Sequence, residues 1–142
     1  MTAELAQHTM YFEDVMVGER EETPAMTITE AHVALYRGVT GDAAAPPGVV
    51  PDLLPLCLCT GLGWRVGRPP LAVLAFMSVD WQIARPARVG DTVRCRLQTT
   101  AKRSMREAGV IIEAQEVVDQ HGDLVQSGRF TFLIARRPAP AS

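Results

Sequence analysis

The residues of this 142-residue chain best suited to move protons lie close together. Asp42 and Asp52 bracket the stretch GDAAAPPGVVPD, and nothing between them titrates. Two carboxylates that share a slot can divide into a neutral acid and a charged base, because burial and mutual repulsion split their pKa values. Asp52 stands before an apolar run with helical character, and a helix dipole there favours its ionised form. Asp42, beside Tyr36, is then the partner with the raised value. Each residue also has a plainer role. Asp52 can be a helix N-cap, worth ~1 kcal/mol. Asp42 can be a turn residue after Gly41, and Tyr36 can be packing.

The other chemistry-bearing residues are scattered. His8, His32 and His121 fall in an N-terminal arm, a first helix and a hairpin turn, and of these His32 approaches the loop if its helix faces that way. Cys57, Cys59 and Cys95 are odd in number and irregular in spacing, a poor disulfide framework. Two residues apart on a helix, at ~100° per residue, Cys57 and Cys59 point to nearly opposite sides and cannot share a metal. They are expected to be buried small hydrophobes in a reducing compartment. Lys102, Arg103 and Arg106 cluster in TAKRSMREAG, either as a solvated hairpin loop or as an anion-binding patch.

The elements that position these residues follow from pattern. Thr29 is a good N-cap for a helix that Gly38 weakens and Gly41 ends. A second helix is expected from Asp52 to about Gly67, with Pro55 tolerated in its first turn. Leu53, Leu54, Leu56, Leu58, Leu62, Trp64 and Val66 surround it on most sides, and a helix apolar nearly all round lies buried. From Leu71 four strand-like segments follow, with QHGD at 120–123 and ARVGDT at 87–92 as turn signals. Segregated helices and antiparallel strands define an α+β domain in which the sheet curls round the apolar helix. A small core and a long sheet edge favour a dimer.

Composition excludes several classes. A net charge of −2 with no basic stripe argues against nucleic acid as a partner. The longest apolar run, broken by prolines and an aspartate, is too short for a membrane span of ~20 residues. The opening MTAELAQHTM lacks a basic start and a signal-type apolar core, so a cytoplasmic location is expected.

Five segments in this order resemble the MaoC-like branch of the hotdog fold: YFEDVMVGE at 11–19, TITEAHVALYRGVTGD at 27–42, LLPLCLCTGL at 53–62, VDWQIARPARVGDTVRC at 79–95 and GRFTFLIARRP at 128–138. The branch includes (R)-specific enoyl-CoA hydratases and 3-hydroxyacyl thioester dehydratases. The resemblance implies a curled antiparallel sheet around one long buried helix, with an arm over 1–10, the domain over 11–138 and a tail over 139–142. The family's activity rests on Gly-Asp-x-Asn-Pro-x-His. Asp42 falls on its Asp, whereas Ala44 and Pro47 stand at the Asn and His positions. Pro51 stands where a second His is frequent, and Asp52 on the Gly whose N–H meets the thioester carbonyl.

The resemblance thus implies a lyase of hydratase/dehydratase type with an altered site, in which Asp42, Asp52 and Tyr36 are the catalytic candidates. Leu53 and the Lys102, Arg103 and Arg106 cluster are the substrate-binding candidates, the cations meeting phosphates of CoA or phosphopantetheine. The expected substrate is an acyl thioester, and no separate cofactor or metal is expected. Two alternatives stay open: a non-catalytic partner subunit of a heteromeric hotdog dehydratase, or a thioesterase using Asp52. A homodimer, or a heterodimer with an active hotdog subunit, is expected.

Overall fold

A computed structural model describes residues 9–141. Most of the expected N-terminal arm, His8 included, therefore lies outside the described residues, as does the last residue of the tail.

Helix α1 spans Glu30–Thr40 and α2 spans Leu54–Leu62. The strands are β1 (Arg20–Glu22), β2 (Met26–Thr27), β3 (Val73–Ile83), β4 (Thr92–Ser104), β5 (Ala108–Val118) and β6 (Leu124–Ala135). They form an antiparallel sheet in the order β1-β4-β5-β6-β3, and β2 pairs with β4 beyond β1. Register shifts interrupt β4 between Thr99 and Ala101 and β3 between Phe76 and Ser78, and such bulges bend and twist a sheet.

The expected start and stop of α1 hold. Thr29 is its N-cap, and Gly41 closes it in the left-handed region, where a residue without a Cβ meets no penalty. The turn signals hold as well: Gly122 and Gly90 take positive φ in the β5–β6 and β3–β4 connections.

The second helix is shorter than its apolar run suggests. Its nine residues pass into a 3-10 turn over Gly63–Arg65, and Pro69 and Pro70 then lead the chain into β3. Leu54, Cys59 and Leu62 are buried against the sheet in one core cluster with Val93, Cys95, Leu97, Val117, Val125 and Phe130, and Pro55 is buried as well. The opposite side is open, leaving Leu53, Cys57 and Trp64 exposed. A smaller cluster of Phe12, Val15, Ile111 and Ile134 closes the far end of the sheet.

Strand β3 forms one edge. Leu74, Phe76, Met77, Val79 and Ile83 along it are exposed. Gly128 on β6, paired with Trp81, allows this strand to seat, since a Cβ there falls 1.8 Å from the Asp80 carbonyl oxygen.

Candidate functional site

The amino end of α2 is fastened to the sheet by one buried amide. Gln126, 1% exposed, accepts a hydrogen bond from the Trp81 indole N–H at 2.7 Å and donates to the Asp52 carbonyl oxygen at 2.6 Å. The helix begins beyond Asp52. Its N-cap is Leu53, without a side-chain cap bond, and the Leu54 N–H closes a turn onto the Pro51 carbonyl at 3.1 Å. Asp52 is therefore not the N-cap expected of it. The turn from Pro51 places it one residue early, and its exposed carboxylate makes no hydrogen bond among the described residues.

Helix α1 brings Tyr36 to the same place. The Thr40 hydroxyl donates to the Tyr36 carbonyl at 2.8 Å and accepts from the Asp42 N–H at 3.1 Å. Asp42 in turn accepts the Ala44 N–H on Oδ1 at 3.0 Å, so one of its carboxylate oxygens shapes the turn. Arg37 holds the next bend by donating to the Ala45 carbonyl at 2.9 Å. Burial raises the pKa of Tyr36, and the nearby Asp42, Cys57 and Asp52 raise it further, because a phenolate would meet their negative charge. Tyr36 thus carries its proton at neutral pH and can act as a hydrogen-bond donor beside both carboxylates.

Cys57 completes this group. It was expected to be buried with the other cysteines, and Cys59 and Cys95 are, but Cys57 lies on the open side of α2 and is exposed. An apolar run that surrounds a helix concealed which side would stay open. His32 does not join the site. Its Nδ1 accepts the Thr29 N–H at 3.0 Å in the first turn of α1. Asp42 lies beyond the other end of that helix, on the order of 15 Å away at 1.5 Å per residue. The His121 backbone N–H serves the β5–β6 turn by donating to Asp119 Oδ1 at 2.8 Å.

Of the expected substrate contacts, Leu53 is exposed at the head of α2 beside the carboxylates. The basic cluster is elsewhere. Arg103 pairs with Val110 and Gln126 with Val117, which puts the cations on the order of 24 Å along β5 from the fastening of Asp52, at ~3.4 Å per residue. The Lys102 ammonium is engaged with the carbonyls of Phe12 and Val15 at 2.9 and 2.8 Å and sits 4.4 Å from the centroid of the Phe12 ring. Arg103 and Arg106 are exposed.

A cavity of about 240 Å³ opens at the carboxyl end of α2, walled by Trp64, Leu71, Phe76, Phe130 and Phe132. Its polar lining was not anticipated from sequence. Arg68 and Glu113 form an ion pair at 2.7 Å, with side chains only 8% and 3% exposed. Cys59 donates its thiol hydrogen to Gln115 Oε1 at 3.2 Å. Contact with Cys95 and burial both push the Cys59 thiol pKa up, so it stays protonated. Among the described residues no group of three or more His, Cys, Asp or Glu side chains is placed to hold a metal ion. No helix among them is long and apolar enough to cross a membrane.

No family model and no curated protein sequence matches this chain. Solved structures do. A monoamine oxidase regulatory protein from Archaeoglobus fulgius superposes with a TM-score of 0.82 at 24% identity, over 92% of this chain and 97% of that one. A MaoC-like dehydratase from Rhodospirillum rubrum gives 0.78 at 16% identity, over 92% and 99%. A Mycobacterium tuberculosis protein with a double hotdog fold gives 0.79 at 17% identity, over 94% of this chain but 46% of its own length. At these identities the likeness defines the fold: the chain is a hotdog domain, an antiparallel sheet on a central helix.

Proposed function

We propose that this chain is a MaoC-like protein acting on acyl thioesters, a lyase of hydratase/dehydratase type with an altered site. The observation that carries the reading is the gathering of Tyr36, Asp42 and Asp52 at the amino end of the central helix of a hotdog domain. The likeness to a structure described as a MaoC-like dehydratase supports it.

In hydration, a water O–H bond breaks as its oxygen joins the β-carbon of the enoyl group, and a proton is delivered to the α-carbon. Asp42 is suited to take the proton from water and pass it on, with one oxygen held by Ala44 and the other open to substrate. The protonated phenol of Tyr36 is suited to donate to the thioester oxygen while negative charge builds there. Asp52, exposed and without a hydrogen bond to its carboxylate among the described residues, is suited to orient the water.

A second copy is the partner this reading requires. The exposed apolar edge of β3 is a template for strand pairing, and covering it with the same strand of another chain removes both the open edge and the apolar surface. Arg103 and Arg106, being exposed, are the cations available to phosphates of a CoA or phosphopantetheine arm. Their distance from Asp42 calls for an extended arm or for the hairpin of the second copy.

One observation favours a second reading, a non-catalytic subunit. Asp42 has a turn to maintain, and the loop after it holds Ala and Pro where the family carries its Asn and His. Offering the purified protein crotonyl-CoA and a longer enoyl-CoA separates the cases. Loss of enoyl absorbance without free thiol supports the lyase, and free thiol supports a hydrolase. Neither signal, with a stable complex formed on mixing with an active hotdog dehydratase, supports the subunit.

A further inference from the structure

The cavity at the carboxyl end of α2 differs in kind from the carboxylate site at the other end. Its walls are mainly aromatic and aliphatic, yet its lining includes three hydrogen-bonding side chains, the buried Glu113 and Gln115 and the nearly buried Arg68. These are incompletely used by the protein. Arg68 has five N–H donors and spends one, from Nη2, on Glu113 Oε2. Gln115 accepts from Cys59 through Oε1, and its amide nitrogen donates to no protein group among the described residues. Glu113 Oε1 likewise lacks a protein partner among them. A buried ion pair repays its desolvation only when its remaining donors and acceptors are also satisfied.

The charge balance narrows what can satisfy them. Arg68 and Glu113 cancel, so a ligand carboxylate or ammonium would enter an apolar chamber without a net countercharge. A neutral hydroxyl or carbonyl faces no such cost and meets both donors and an acceptor. Size narrows it further. An apolar cavity of 150 Å³ holds benzene, so about 240 Å³ holds roughly ten heavy atoms. We infer that this cavity binds a compact, neutral, polar-tipped group, a ring or short chain ending in a hydroxyl or carbonyl. Its role as the pocket for the acyl tail of the substrate rests on the thioester reading above.

The test uses fragments and the full chain, so it does not depend on turnover. Toluene, p-cresol and 4-methylbenzoate are titrated while amide NMR shifts are followed. p-Cresol is expected to move the amides around Cys59, Gln115 and Phe130 and to bind at least about tenfold more tightly than either analogue, since a polar site left unpaired rejects the ligand lacking the matching group. The doubly substituted protein Arg68→Met with Glu113→Leu keeps the chamber filled by apolar groups and avoids stranding one charge. It is expected to lose the preference for p-cresol over toluene. Equal binding of p-cresol and toluene, tightest binding of the carboxylate, no binding of any of the three, or an unchanged preference in the double variant each overturns the inference. Fragment binding with that preference, but no action on enoyl or acyl thioesters, leaves the cavity standing and removes the acyl-tail role alone.

Discussion

The Gln126 amide reaches from β6 to the carbonyl of Asp52 at 2.6 Å while its own oxygen is held by the Trp81 indole at 2.7 Å. One buried side chain therefore ties the edge strand, the neighbouring strand and the entrance of the central helix. Gln126→Leu leaves the part-buried Trp81 N–H and Asp52 carbonyl without their partner, and a polar group that loses its bond away from water costs about 1–3 kcal/mol. Urea unfolding is expected to show a loss of about 2 kcal/mol or more, and a loss under ~0.5 kcal/mol would contradict the tie.

The ion pair of Arg68 and Glu113 predicts a strongly non-additive pair of variants. Arg68→Ala alone strands a buried carboxylate and is expected to cost about 3–5 kcal/mol, whereas replacing both residues by apolar side chains of similar volume is expected to be near neutral. Denaturant melts of the single and double variants measure the difference.

Tyr36 should titrate late. In a Tyr11→Phe background, the ultraviolet signal of phenolate formation then comes from Tyr36, the chain having two tyrosines. Its midpoint is expected above the ordinary value near ~10, because burial and then the charges of Asp42, Cys57 and Asp52 oppose ionisation. Asp42→Asn removes the charge that, after burial, opposes ionisation most and should lower the midpoint. A midpoint unmoved by that substitution would separate the two residues.

Asp119 predicts an acid-dependent share of stability. Its burial raises its pKa, but the N–H groups of Asp123 and His121 and the guanidinium of Arg85 outweigh that, and the net value is lowered. A carboxylate with a lowered folded-state value stabilises the fold above its unfolded value of ~3.9, and that contribution is lost as pH falls through the folded value. Asp119→Asn should therefore melt at a lower temperature than wild type at pH 7, with the gap narrowing below about pH 4.

Much of the architecture was legible because it is written locally. Thr29 and Gly41 mark the ends of α1, Gly90 and Gly122 mark turns, and alternation in residues 92–97 marks β4. The entrance of α2 was less so, since Asp52, Leu53 and two prolines offer competing starts, and the turn from Pro51 decided among them. Tyr36, Asp42 and Asp52 could be gathered from sequence as they flank one short loop. Arg68 and Glu113 could not. They meet only because the exit of α2 passes over β5, and neither residue carries a local signature of its partner. Gln126 was hidden for the same reason, and Cys57 because periodicity does not say which side of an apolar helix the sheet leaves open.

The most direct test of the central claim is the rate at which enoyl absorbance is lost when the intact protein meets an enoyl-CoA, compared with Asp42→Asn. The proposed lyase hydrates the substrate, and removing its proton-handling carboxylate slows the reaction by about 10²–10⁴-fold while the fold persists. Wild-type protein with no hydration of short or long enoyl-CoA, or an Asp42→Asn variant as fast as wild type, would contradict it.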